Sequence, residues 1–415
     1  MFMQNIPKEW QIKKLKDATE RMIVGLATSV TKYYRDTGTP IIRNLNIKDG
    51  YFDSTNMLYL DKKFADKQPK KTVKYNDVLV VHTGVNLGLA CLVPYDFQGA
   101  QTFTTIIITT KSKELFPDYL MHFINSEIGK NEIIRLRVGA GKNNLNIKDF
   151  NNFNIIISSL SEQQKIASIF STVDDLIENT THIINSYSLL KKDLIQVLLN
   201  KGIGHTKFKK TEIGVIPEEW DINKIKDVAK VSIGGTPSRN RPEYWDKNKV
   251  DGNIWVSIKD LSSIFKFISD SSEYISDLGV KMSNVKLVKK DTVLMSFKLT
   301  IGKVAITKKD LYTNEAIAAF KINNKNEIDY NYLYYKLPLL SYDLDQAIKG
   351  LTLNKEKINN TFLPVPSLIE QQKIAEILSL LDSKIFLLIK KKKNIELLKK
   401  GLMQQLLIGK IRVKV

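Results

Sequence analysis

A chain of 415 residues with 43% hydrophobic and 26% charged residues has the composition of a soluble protein of two or three domains, and that composition argues against disorder. One cysteine, Cys91, and four scattered histidines exclude an intrachain disulfide and a cysteine-based zinc site, and no apolar run reaches the length of a membrane span. The net charge of +19 points to a polyanion, most often nucleic acid, although an AT-rich coding sequence would also raise lysine and asparagine.

The start, Met1-Phe2-Met3-Gln4-Asn5-Ile6-Pro7-Lys8, lacks the charged head and apolar body of a signal peptide, so a reducing, cytoplasmic setting without a structural metal is expected. Residues 1–158 read as a first mixed globular domain. Asp77-Val78-Leu79-Val80-Val81 and Thr104-Thr105-Ile106-Ile107-Ile108-Thr109 are β-branched runs typical of strands. Pro117-Asp118, followed by apolar residues at helical spacing, predicts a helix start. Val138-Gly139-Ala140-Gly141-Lys142-Asn143-Asn144 is a glycine-rich, basic loop.

Residues 159–201 predict one long helix. Apolar residues at Ile166, Phe170, Val173, Ile177, Tyr187, Leu190, Leu194 and Leu198 fall three and four apart, on a narrow stripe that needs a partner helix. Residues 202–216, with Gly202, Gly204 and Gly214, read as a linker. Residues 217–366 predict a second domain and 367–415 a second long helix with a basic tail.

The second half repeats the first. Ser161-Glu162-Gln163-Gln164-Lys165-Ile166-Ala167 returns as Ile369-Glu370-Gln371-Gln372-Lys373-Ile374-Ala375, and Leu189-Leu190-Lys191-Lys192 as Leu397-Leu398-Lys399-Lys400, at one offset of 208. The second stripe is Ile374, Leu378, Leu381, Ile385, Ile395, Leu398, Leu402 and Leu406. Upstream, Ile6-Pro7-Lys8-Glu9-Trp10 returns as Ile216-Pro217-Glu218-Glu219-Trp220, and the strand at Asp77 as Asp291-Thr292-Val293-Leu294-Met295. Asp329-Tyr330-Asn331-Tyr332-Leu333 echoes the helix near Asp118, and Gly302 falls opposite Gly88. Such self-similarity marks a duplication. The fold class expected is α+β: two duplicated mixed domains separated by two long helices pairing as an antiparallel coiled coil. Forty helical residues span roughly 60 Å.

Sites for chemistry are lacking. Gly139-Ala140-Gly141-Lys142 resembles the end of a phosphate loop, but Leu136 stands where the earlier glycine is needed and Asn143 where Ser or Thr is needed. Glu127 and Lys130 are three apart, which is not the nuclease carboxylate-x-Lys spacing. No Asn-Pro-Pro or Asp-Pro-Pro occurs, as adenine methylation would require, nor any Cys/His pair or His cluster with metal spacing.

Two variable domains, each closed by a Leu-x-Glu-Gln motif and a long helix, resemble the specificity subunit of a Type I restriction–modification enzyme. The residues that carry the resemblance are Val365-Pro366-Ser367-Leu368-Ile369-Glu370-Gln371-Gln372-Lys373-Ile374-Ala375, its proline-free counterpart from Ser158, Thr211 through Trp220, and Gly234-Gly235-Thr236-Pro237-Ser238-Arg239 with Tyr244-Trp245 and Ile254-Trp255-Val256. The resemblance implies a non-catalytic reader of double-stranded DNA, each domain reading one half of a split target. It implies two modification subunits, which bind S-adenosylmethionine, docked on the helices, and restriction subunits that use ATP. The chain itself would need no cofactor, and S-adenosylmethionine, ATP and Mg²⁺ would belong to the partner subunits.

Base edges and phosphates call for Arg, Lys, Asn and aromatic side chains in loops. The candidates are Arg35, Arg43, Asn44, Lys142, Asn143 and Asn144 in the first domain, and Arg239, Arg241, Tyr244, Lys298, Thr300 and Lys303 in the second. The expected helix seam runs through Phe170, Val173, Ile177, Leu190, Leu194 and Leu198, and through Leu378, Leu381, Ile385, Leu398, Leu402 and Leu406. Two other readings remain open from the residues: a methyltransferase or nuclease component, and a protein-binding tether.

Overall fold

The computed structural model describes residues 6–138, 144–263, 265–298, 300–347 and 350–414. Lys142 and Asn143 lie outside them. The chain divides into two compact units, Met1–His182 with Lys390–Val415, and Ile183–Ile389.

In the first unit, β1 (Gln11–Lys14) pairs antiparallel with β6 (Asn154–Ile157), so the domain leaves its sheet where it entered. Between them, β2 (Thr19–Val24), β3 (Val78–Val81), β4 (Ala90–Leu92) and β5 (Thr105–Thr110) form an antiparallel sheet in the order β2-β5-β3-β4. All four residues of β3 are buried, which is why its sequence is a continuous aliphatic run rather than an alternation. α1 (Pro117–Asn125) begins on proline, whose missing N–H costs nothing in a first turn. α1 packs on β4 and β3, and Tyr119 Oη donates to the Ile156 carbonyl (2.9 Å). A smaller sheet of Tyr34–Arg35, Leu58–Leu60, Thr39–Ile42 and Gln101–Thr102 completes the domain.

The second unit repeats this plan. β7 (Asp221–Lys224) clasps β12 (Phe362–Val365). β8 (Ala229–Ile233), β9 (Val293–Ser296), β10 (Val304–Thr307) and β11 (Ile317–Ile322) pair in the order β8-β11-β9-β10, with Phe267–Ile268 added in parallel at the edge. α3 (Tyr330–Lys336) starts on Asp329, whose carboxylate accepts from the Asn331 and Tyr332 N–H groups, and Tyr332 Oη donates to the Pro364 carbonyl (2.8 Å). The expected linker is partly structured: Phe208–Thr211 and Gly214–Pro217 form a hairpin, with Gly214 supplying the positive φ of +106° that its turn needs.

The long helices are α2 (Leu160–Lys201, 42 residues) and α4 (Leu368–Leu406, 39 residues). In the first unit Ile166 and Phe170 share a core with Met403, Leu406 and Leu407. In the second, Ile374 and Leu378 share one with Leu198 and Leu199. The start of each helix thus meets the end of the other, an antiparallel pairing.

The repeated Glu-Gln-Gln motif has a structural reason. Gln163, fully buried, donates to the carbonyls of Glu114 and Ser158 and accepts from the Phe116 N–H. Gln371 does the same with Glu327, Pro366 and the Asp329 N–H. One amide side chain therefore sews the start of the long helix to the start of the domain helix. Gln371→Leu is expected to lower stability by about 3 kcal/mol, roughly 1 kcal/mol for each backbone group left unpaired, with the exposed neighbour Gln372→Leu near neutral. Urea unfolding measures both.

The stripe departs from its expected course at one step. Leu190 and Leu398 are 45% and 56% exposed. Lys191 and Lys399 turn inward instead, each to an aspartate of the other helix. A helix that turns 100° per residue can bury Leu190 or Lys191 there, but not both, and the ion pair takes the position. Of the remaining seam residues, Phe170, Leu198, Leu378, Ile385 and Leu406 are buried, and Val173, Ile177, Leu194, Leu381 and Leu402 half-buried.

Candidate nucleic-acid interface

In each domain the turns between sheet strands gather candidate residues at one end. In the first, Arg43 follows the strand Thr39–Ile42, and Asn44 Nδ2 donates to the Thr83 carbonyl (3.2 Å) in the β3–β4 turn. The Leu145 N–H donates to the His82 carbonyl (2.9 Å), which brings Asn144 to the same turn. The structure therefore collects Arg43, Asn44 and the exposed Asn144 around residues 82–88. Arg43 Nε, Asn44 Oδ1 and His82 Nε2 are buried atoms with no hydrogen-bond partner among the described residues. Buried polar atoms are nearly always paired, and residues 139–143, which run into Asn144, lie outside the described residues. Burial also depresses the His82 pKa, favouring the neutral ring. Arg35 is not part of this group. It donates to the carbonyls of Lys32 and Tyr34 and lies 3.7 Å from Asp61.

The second domain builds the equivalent turn from Lys298, Thr300 and Lys303, joining β9 to β10. The Leu353 N–H donates to the Phe297 carbonyl (3.2 Å), the same tie as Leu145 to His82. Gly302 and Gly88 both adopt φ of +87°, the left-handed turn that glycine tolerates. Thr300 and Lys303 are exposed.

Arg239, Arg241 and Tyr244 occupy a different loop. The Arg239 guanidinium engages both oxygens of Glu273 and lies 3.8 Å from the centre of the Trp245 ring, which meets Trp255 edge-on. This stacking holds the loop in shape and engages much of the guanidinium's donor capacity. Arg241 lies 3.7 Å from Glu243, and Tyr244 is half-buried, its carbonyl accepting from the Ser276 N–H. The Gly234-Gly235 pair is explained by close approach: a Cβ on Gly234 would sit 2.1 Å from the Thr313 carbonyl oxygen. His82 and Thr83 carry no signal of their own in the sequence, and Thr236, which donates to Glu315, is marked only by the Gly-Gly-Thr run.

Among the described residues, no three of His, Cys, Asp and Glu lie together as metal ligands would, and no helix is long and apolar enough to cross a membrane.

Two copies of one mixed domain, each clasped onto a long helix and each presenting polar turns at the end of its sheet, define a duplicated recognition module. The sequence pattern of the Type I restriction modification DNA specificity domain matches residues 7–186 and again residues 217–398, and the chain belongs to that family. It is a Type I restriction–modification specificity subunit with two target-recognition domains, the non-catalytic DNA-recognition component of such systems. The putative type I restriction enzyme MjaX specificity subunit of Methanocaldococcus jannaschii is 27% identical over 425 aligned positions, covering 99% of this chain and 95% of that one. The MjaIX specificity subunit of the same organism is 38% identical over 202 residues, covering 47% of this chain and 44% of its own. Among solved structures, a chain from a study of complex assembly and conformational transition of the type I R-M system superposes with a TM-score of 0.57 at 17% identity, covering 98% of this chain and all of that one. The S subunit from M. genitalium superposes with 0.57 at 15% identity, covering 97% and 96%. These similarities extend the shared fold to nearly the whole chain.

Proposed function

We propose that each target-recognition domain reads one half of a split DNA target, that the paired helices set the distance between the halves, and that two modification subunits dock on those helices, with restriction subunits joining the full complex. The observation that carries this reading is the duplication itself. Each unit closes its own domain over its own helix start and presents the same β-turn at the same sheet end, so one chain offers two independent reading heads. S-adenosylmethionine, ATP and Mg²⁺ then act on the partner subunits, in the cytoplasm. Exposed apolar side chains on the helices supply the docking face: Leu189, Leu380, Phe386 and Leu387 in the second unit, Leu397 and Leu398 in the first. Rows of exposed leucine and phenylalanine mark interaction surfaces.

Affinity in this reading comes from lysine and arginine at phosphates. Lys298→Ala is expected to weaken DNA binding by the complex about equally on all sequences and to lower the slope of log affinity against log salt by about 1. Asn44→Ala is expected to change sequence preference in one half-site and to leave the salt slope unchanged. A salt titration with specific and scrambled duplexes tests both. A salt-independent affinity would instead favour a protein-binding tether. The purified chain alone is expected neither to methylate nor to cut DNA with S-adenosylmethionine, Mg²⁺ or ATP present, and turnover by it would favour a fused enzyme component.

A further inference from the structure

Where the apolar stripe lapses, each unit holds one ion pair between the long helices. In the first unit Lys399 Nζ lies 2.5 Å from Asp174 Oδ1, and in the second Lys191 Nζ lies 2.5 Å from Asp382 Oδ1. In both, the aspartate comes from the helix that follows the unit's own domain and the lysine from the other helix. Asp382 is almost fully buried, Asp174 and the two lysines partly so. The domain reaches the same carboxylates. Tyr335 of α3 donates its hydroxyl to Asp382 Oδ2 (2.6 Å). Its counterpart on α1, His122, places Nδ1 3.9 Å from Asp174 Oδ2, and burial holds its pKa down to about 3. Neither His122 ring nitrogen has a hydrogen-bond partner among the described residues.

The spacing is as informative as the contacts. Asp174 stands seventeen residues before Lys191 on α2, and Asp382 seventeen before Lys399 on α4. Two antiparallel helices carrying that same spacing satisfy both pairs in one register. A slip of seven residues carries each lysine about 10 Å from its carboxylate. Apolar seams tolerate such slips better than polar ones, and a polar group in a seam specifies alignment at a cost in stability. Ion pairs removed from water contribute little net stability, while leaving one member alone is costly. Stability is therefore a poor reason for placing the same pair twice where leucine would pack.

We propose that Asp174–Lys399 and Asp382–Lys191 are positioning residues that specify the register of the helix pair, and through it the spacing at which the two domains read DNA. The second clause rests on the split-target reading above; the first does not. The label separations are measured on the full chain outside the complex, with spin labels at Leu189→Cys and Leu387→Cys, both exposed, and the native Cys91 buried beyond reach of the label, while methylation is read in complexes that keep Leu189 and Leu387. The unaltered register should give one sharp label separation. An all-apolar variant (Asp174→Leu, Lys399→Leu, Asp382→Leu, Lys191→Leu) should broaden that separation or displace it by about 10 Å, one heptad of rise, and in the complex should methylate targets of more than one spacer length. An exchanged variant (Asp174→Lys, Lys399→Asp, Asp382→Lys, Lys191→Asp) should restore the single separation and the single spacer. An all-apolar variant that keeps the native separation overturns the proposal, and so does an exchanged variant that fails to fold or to recover it. If the all-apolar variant does not fold, the exchanged variant decides alone. A complex without split targets would refute the reading of function and leave the label separations to decide the register.

Discussion

Replacing Trp220 with alanine is expected to lower the stability of the second unit by about 3–5 kcal/mol, the usual range for a buried tryptophan truncated to alanine. Trp220 is fully buried, and its indole donates to Glu370 Oε2 (3.0 Å). The other oxygen, Oε1, accepts from the Ile203 N–H and contacts His205 Nε2, both at 2.9 Å. The indole thus joins the domain entry, the linker and the long helix at one carboxylate. Trp220→Phe separates packing from hydrogen bonding: it keeps most of the ring and should cost about 1–3 kcal/mol for the oxygen left unpaired. The first unit repeats the joint as Trp10 on Glu162, with Arg412 on the other oxygen, but there Ser159 also donates to the tryptophan-bound oxygen (3.1 Å). Trp10→Phe should therefore cost less than Trp220→Phe. Urea unfolding of the three variants measures the differences, and equal losses for the two phenylalanine variants would contradict this account of the joints.

Exchanging residues 221–365 for the matching domain of a relative should replace one half of the target and leave the other half and the spacer unchanged. Both ends of this segment lie side by side in the β7–β12 clasp, where Asp221 pairs with Val365 and Lys224 with Phe362. A domain that enters and leaves at one clasp can be replaced without altering the path of the helix that follows. The expected effect is large, because specific and non-specific protein–DNA affinities differ by about 10³–10⁷. Methylation of a library of split targets by the reconstituted complex measures it. Changes in both halves would mean that the domains do not read independently.

Much of this architecture is legible in the residues because it occurs twice. A shared offset ties Glu162 to Glu370 and Lys191 to Lys399, and duplicated buried contacts constrain both copies alike. What periodicity could not decide is the choice between adjacent residues: Leu190-Lys191 offers an apolar and a charged side chain to one seam position, and only the aspartate on the other helix shows why the lysine wins. The hairpin at 208–217 was hidden by glycines that read as a linker, although Gly214 marks its turn. Arg239 illustrates the limit for the site. Its charge marks a candidate phosphate contact, while its pairing with Glu273, 34 residues away, and its stacking on Trp245 are visible only in the fold. His82 carried no signal in the sequence, since a lone histidine gains meaning only from the unpaired atoms beside it.

Mapping methylated adenines across the genome of cells that express this chain with its modification subunit decides whether one chain carries two reading heads on a fixed spacer. One split motif is expected: two defined half-sites separated by a non-specific spacer of a single length, lost when the chain is deleted. A continuous motif, or methylation that persists unchanged without the chain, would contradict this expectation.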